Sequence, residues 1–164
     1  MTRAFIITGI TASATLLASP VMSQVATAQF NVQMTITSDC QITSATNMNF
    51  GPSGVISANH DATSTITVQC TNGTTYNIGL NEGLGAGATI PIRKMTGVGG
   101  ATINYSLYTD SARSTVWGNT PNTNTVSGTG TGGPQPYTVY GRVAAQATPA
   151  AGTYTDTVTV TLTY

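Results

Sequence analysis

The chain has 164 residues with five Lys/Arg against five Asp/Glu, so it is uncharged overall and only 6% of it carries charge. That length suits one domain with a core of its own. The charge balance leaves no basic surplus for nucleic acid, and one His, two Cys and five carboxylates leave few parts for catalysis. Solubility rests on small polar residues: Thr alone accounts for 33 positions, and a β-branched polar side chain suits the wet face of a sheet.

Residues 1–23 read as a secretory leader, with Arg3 as a thin positive start, an apolar run from Ala4 to Leu17 and a stop at Pro20. Cleavage fits after Ser23 or as late as Ala28, and losing Arg3 leaves four positive and five negative charges, a net of −1. Beyond residue 22 no apolar run approaches the ~20 residues that span a bilayer, which predicts an exported chain with no stable membrane insertion. In that compartment Cys40 and Cys70 fit one disulfide, closing a 30-residue separation and stabilising by roughly 3–4 kcal/mol. The alternative, a metal or redox pair, lacks a C-x-x-C and a second His near His60.

Past the leader the pattern is strand alternation. Phe30, Val32, Met34 and Ile36 are interleaved with Asn31, Gln33 and Thr35. Taken alone, this segment is either the first strand of a complete sandwich or a spare strand. Gly51 to Gly54 breaks the chain, and His60 falls in a Ser/Asn/Asp-rich stretch that reads as a surface loop. Ile66, Val68 and Cys70 share one parity, and Tyr76, Ile78 and Leu80 share another. A two-residue hairpin at Asn72-Gly73 would set Tyr76 and Ile78 on the opposite face from Val68. Either the loop has three residues or the chain crosses here from one sheet to another, and the crossing is the favoured reading because immunoglobulin-like sandwiches join their second and third strands this way.

Small-residue loops follow at 83–87 and 97–100, on either side of the segment leading to Ile103, Tyr105 and Leu107. Gly118 to Pro136 shows no periodicity and reads as a flexible surface excursion. Tyr137, Val139 and Val143 form another set. The last segment is the cleanest: Val158, Val160, Leu162 and Tyr164 face one way, and Thr155, Thr157, Thr159, Thr161 and Thr163 face the other. Six or seven short strands with one dry and one wet face predict an all-β sandwich.

Chemistry is sparse along the same path. His60 has no acid or nucleophile patterned beside it, Glu82, Asp110 and Asp156 are isolated, and no phosphate loop, dinucleotide fingerprint or calcium loop occurs. The expectation is no enzyme and no cofactor. Tyr108 and Trp117 are readable either as a sugar-stacking pair or as core aromatics.

The segments together resemble the spore coat protein U domain family, which also supplies subunits of archaic (Csu-type) chaperone–usher pili. The resemblance rests on Phe30 to Ile36 placed just before Cys40, on Thr67-Val68-Gln69-Cys70, on Ile103 to Asp110 with Arg113 shortly after, on Tyr137 to Arg142, and on Gly152-Thr153-Tyr154-Thr155-Asp156 running into Thr157 to Tyr164. It implies residues 38–164 as an immunoglobulin-like β-sandwich that lacks its last strand, preceded by a donor-strand extension over residues 24–37. By the same resemblance Phe30, Val32, Met34 and Ile36 are donated to the next copy, and the groove beside Val158, Val160, Leu162 and Tyr164 accepts such a strand or one lent by a periplasmic chaperone. The implied partners are copies of itself or other pilus subunits, that chaperone, and an outer-membrane usher; the implied setting is export through the periplasm to a cell-surface pilus. The chain stops at Tyr164, directly after a patterned strand, which agrees with a missing neighbour there. A secreted coat protein of the same fold, or a complete sandwich that binds glycans through Tyr108 and Trp117, are the other functions in view.

Overall fold

The structure, a computed structural model, describes residues 20–164; residues 1–19, the bulk of the expected leader, lie outside the described residues. The chain divides into two units, residues 1–35 and residues 36–164. In the first, residues 20–35 form no helix or strand and all are exposed.

The second unit is built from eight strands in two antiparallel sheets. β1 (Cys40–Ala45), β2 (His60–Cys70), β4 (Arg93–Thr96), β5 (Thr102–Tyr108) and β7 (Pro134–Val143) make one sheet in the order β1-β2-β7-β5-β4. β3 (Thr75–Leu80), β6 (Val126–Thr129) and β8 (Val160–Thr163) make the other, in the order β6-β3-β8. A single 3₁₀ turn, Val98–Gly100, joins β4 to β5. This is the expected all-β, immunoglobulin-like arrangement.

The crossing between sheets falls where parity required it. β2 ends at Cys70, a turn closes with Thr74 N–H donating to Thr71 O at 3.0 Å, and β3 begins in the opposite sheet. Gly73 occupies the left-handed region at φ +84°, which a side chain would resist. With the crossing made, Val68 and Cys70 meet Tyr76, Ile78 and Leu80 across the interior, joined by Tyr105, Leu107, Val139, Val143 and Trp117. Cys40 and Cys70 are directly opposed in the β1–β2 ladder and form the expected disulfide.

Three details differ from the sequence reading. His60 is not in a loop: it opens β2 opposite Val143, because the ladder with β7 carries the strand six residues beyond its apolar part. The excursion after Gly118 is partly ordered, since Val126–Thr129 pairs with β3 and β7 begins at Pro134. The two prolines, Pro134 and Pro136, are tolerated because β7 is paired only with β2 over that stretch, and an edge position needs no second N–H. β1 carries no alternation, since five of its six residues are exposed on an edge, where a register shift between Ile42 and Ser44 interrupts the ladder.

Candidate functional site

A cleft of about 620 Å³ opens between the sheets. One wall is the segment after β1, from Ala45 to Phe50, and the other runs from Thr153 through Val158 to Val160. The floor comes from both sheets: Ile66, Tyr105, Leu107 and Val139 from one, Leu80 from the other. These floor residues belong to the core and are at most 6% exposed, so the cleft reaches down to core side chains, and no strand among the described residues lies across it.

The wall before β8 shows why. Thr155, Thr157, Thr159, Thr161 and Thr163 are all exposed, while positions 156, 158, 160 and 162 are half-buried. The alternation is that of a strand, yet the ladder covers only Val160–Thr163, to β3 on one side, with an isolated bridge from Thr155 to Thr96 of β4. Thr159 turns its backbone towards β3, accepting from Asn81 N–H at 3.1 Å and donating to Asn81 Oδ1 at 2.8 Å. Successive residues of a strand point their amides to opposite sides, so Val158, Val160 and Leu162 present theirs to the unpaired edge.

Of the residues singled out beforehand, Val158 and Val160 line this cleft. Leu162 packs half-buried against the core, outside the cleft lining. Tyr164 is 59% exposed, and its hydroxyl donates to Asp39 Oδ1 at 3.0 Å. Phe30, Val32, Met34 and Ile36 are 87%, 85%, 83% and 67% exposed. Such a row of apolar side chains in water is a cost unless something buries it. Met48 and Phe50 form the opposite wall, and the signal for them in the sequence is their alternation with Asn47 and Asn49 just before Gly51.

Charged residues serve the fold. Arg93 is fully buried, and it donates to four backbone carbonyls: Asn81 (2.8 Å), Ile90 (2.8 Å), Leu80 (3.0 Å) and Trp117 (2.8 Å). Burial pulls its guanidinium below the ordinary arginine value, opposed by the fields of Tyr105, Asp156 and Glu82. Nothing in the local sequence marks it. Asp156 lines the cleft with both oxygens engaged: Oδ1 accepts from Leu84 N–H (2.7 Å) and Thr157 N–H (2.8 Å), and Oδ2 accepts from the Tyr105 hydroxyl (2.7 Å). Burial, reinforced by that carboxylate, holds the Tyr105 phenol far above its usual range.

On the outer face of the five-stranded sheet Arg142 grips Asp61 through Nε (2.7 Å) and Nη2 (2.8 Å), and Arg113 adds a contact at 3.2 Å. The Arg142 hydrogen bonds are the main reason the Asp61 carboxyl lies below the usual carboxylate range. Asp110 is lowered as well, first by the Thr115 amide and then by that of Ser114.

Catalytic and sugar-stacking readings find little here. The Ser53 hydroxyl lies 3.2 Å from His60 Nε2 and 3.3 Å from Val55 O, while Asp61, next in the chain, is engaged by two arginines. Among the described residues no three His, Cys, Asp or Glu gather as a metal site. Trp117 is buried, and its Nε1–H donates to Ile78 O at 2.8 Å, so it offers no face to a sugar; of the two readings the core aromatic holds for Trp117, and Tyr108 is half-buried on β5.

Comparison with known proteins agrees with this geometry. The family model of the Spore Coat Protein U domain matches residues 26–161, and the chain belongs to that family. It is 35% identical over 173 aligned positions to Protein U of Myxococcus xanthus, covering 96% of both chains. Its fold is similar, with a TM-score of 0.58 and 26% identity, to a chain in the crystal structure of the CsuC–CsuE chaperone–tip adhesion subunit pre-assembly complex from archaic chaperone–usher Csu pili of Acinetobacter baumannii. The match covers 79% of this chain and 40% of that one.

Proposed function

We propose that this member of the spore coat protein U domain family is a structural subunit of an extracellular chaperone–usher pilus that polymerises by strand donation. Residues 30–36 of one copy fill the cleft of the next. The observation that carries this reading is the pairing of a cleft floored by core side chains with an exposed apolar strand pattern in the same chain. A donated strand takes up the free amides of Val158, Val160 and Leu162 and sets Phe30, Val32, Met34 and Ile36 against the floor. Burying four such side chains contributes about 6–12 kcal/mol gross, and ladder hydrogen bonds add ~0.5–1.5 kcal/mol each, against several kcal/mol for ordering the strand. Head-to-tail repetition of one such contact builds an open filament.

Before assembly a periplasmic chaperone lends the strand, and an outer-membrane usher exchanges it for the next subunit's extension. The surface fibre serves adhesion or biofilm formation. The likeness to a chain in a chaperone–subunit complex supports the chaperone as a partner.

The test replaces two donor anchors in the full mature chain, Val32→Asp with Met34→Asp. Sedimentation should show polymers of the unaltered chain and monomers of the variant, which should still bind a peptide of residues 24–37 and gain thermal stability from it. Polymers from the variant, or no response to the peptide, would refute strand donation. A second reading, a secreted spore or cell coat protein, is favoured by the end-to-end match to Protein U. It predicts assembly that needs no chaperone or usher in the same cell.

A further inference from the structure

The wall of the cleft over residues 156–159 belongs to no ladder and still runs as an extended strand. Its ends are pinned by backbone hydrogen bonds, Thr155 with Thr96 of β4 and Thr159 O with Asn81 N–H, and between them the support comes from side chains. Asn81 holds Thr159, and the Asp156 carboxylate ties the wall both to the loop after β3, through Leu84 N–H, and to β5 of the other sheet, through the Tyr105 hydroxyl. Gly83 shows how closely the parts fit. It sits at φ +85°, and a Cβ there would overlap the Asp156 carboxylate. Asp156 also begins the inward-facing row that continues as Val158, Val160 and Leu162, and it is the polar member of that row.

We infer that Asp156 is a positioning residue for strand acceptance: with Tyr105 and Gly83 it keeps the unpaired wall extended and the cleft open while no strand occupies it. The inference rests on the strand-donation reading. With Asp156 removed, the stretch between the pinned Thr155 and Thr159 must be ordered during each encounter, and the cost falls on association. Once a strand is seated, its ladder holds Val158 to Leu162 by itself, and the carboxylate becomes nearly redundant.

The experiment follows binding of a labelled peptide of residues 24–37 to the full mature chain carrying Val32→Asp and Met34→Asp, by stopped-flow anisotropy. Asp156→Ala should slow association about tenfold or more, the factor expected when charge-assisted hydrogen bonds no longer preorganise a segment. Dissociation and the melting temperature of the peptide-filled protein should hardly move. Asp156→Asn should recover most of the rate, because its amide oxygen still accepts from Leu84 and Thr157 and its NH₂ donates to the Tyr105 oxygen. Tyr105→Phe, which deletes one leg of the clasp at constant volume, should show a smaller slowing. Asp110→Ala, on an exposed loop remote from the cleft lining, is the control and should leave the rate unchanged. An unchanged rate in Asp156→Ala, or a drop in melting temperature of the filled form that matches the loss of affinity, would overturn the inference. Absence of peptide binding by the parent chain would instead refute strand donation, and the inference with it.

Discussion

Arg93→Met is the perturbation whose cost follows most directly from the structure. The guanidinium satisfies four carbonyls at 2.8–3.0 Å, two of them, Leu80 O and Trp117 O, through a fully buried nitrogen. Methionine fills similar volume and donates to none. An orphaned buried carbonyl costs about 1–3 kcal/mol, so the two deepest alone imply roughly 2–6 kcal/mol. Relief from burying a cation returns part of this, which places the net near 3–4 kcal/mol against a total stability of ~5–15 kcal/mol. For a domain of this size each kcal/mol lowers the melting temperature by about 4 °C, giving a drop of roughly 12–16 °C. Urea denaturation of the peptide-filled protein checks it, with the midpoint falling at unchanged slope. Arg93→Lys should recover less than half, since one ammonium cannot reproduce a planar fork that reaches four acceptors. A loss below about 1 kcal/mol for Arg93→Met would mean those carbonyls are otherwise satisfied, and the clamp would be disproved.

Other outcomes follow from the same contacts. Removing the disulfide with Cys40→Ala and Cys70→Ala should cost about 3–4 kcal/mol in chemical denaturation and release the edge strand β1 first, read as loss of amide protection at Gln41. Trp117→Phe should lower stability by about 1–2 kcal/mol through the orphaned Ile78 carbonyl while leaving any glycan binding unaltered; a selective loss of glycan binding would reinstate the sugar-site reading. Asp61 and Asp110 titrate below their unfolded values, so their contribution is complete above about pH 4–5 and is lost as pH falls further, with Asp61→Asn flattening that limb. At the alkaline end Tyr76 and Tyr105 are held neutral by burial while unfolded tyrosines ionise near pH 10. Stability should therefore fall as pH rises beyond about 10, and Tyr76→Phe with Tyr105→Phe should remove the fall. Equilibrium unfolding across pH reads both limbs.

What was legible along the chain was whatever period two imposes. Val68, Ile78, Leu107 and Val139 point inward because a sheet with one wet face allows no other placement, and the parity conflict at Asn72-Gly73 located the passage between sheets. Strands without that signature were opaque. β1 is an edge with polar residues on both faces, and β4 carries Arg93 and Lys94. β6 is a four-residue Ser/Gly/Thr stretch made regular only by its partner β3.

The site divides along the same line. The rows Phe30 to Ile36 and Val158 to Leu162 are written in composition and spacing, because alternation is a local property of consecutive side chains. That the second row leaves its amides free, that Met48 and Phe50 form the facing wall, and that Tyr105 floors the gap depend on contacts between segments distant in sequence. The scarcity of charge was plain from composition, but its use was not. Arg93 in the core, Asp156 across the cleft and Asp61 between two arginines each gained a purpose only when folding brought a distant partner within hydrogen-bonding range. Alternation by itself determines which side of a strand is dry; the tertiary structure decides which dry side is left uncovered.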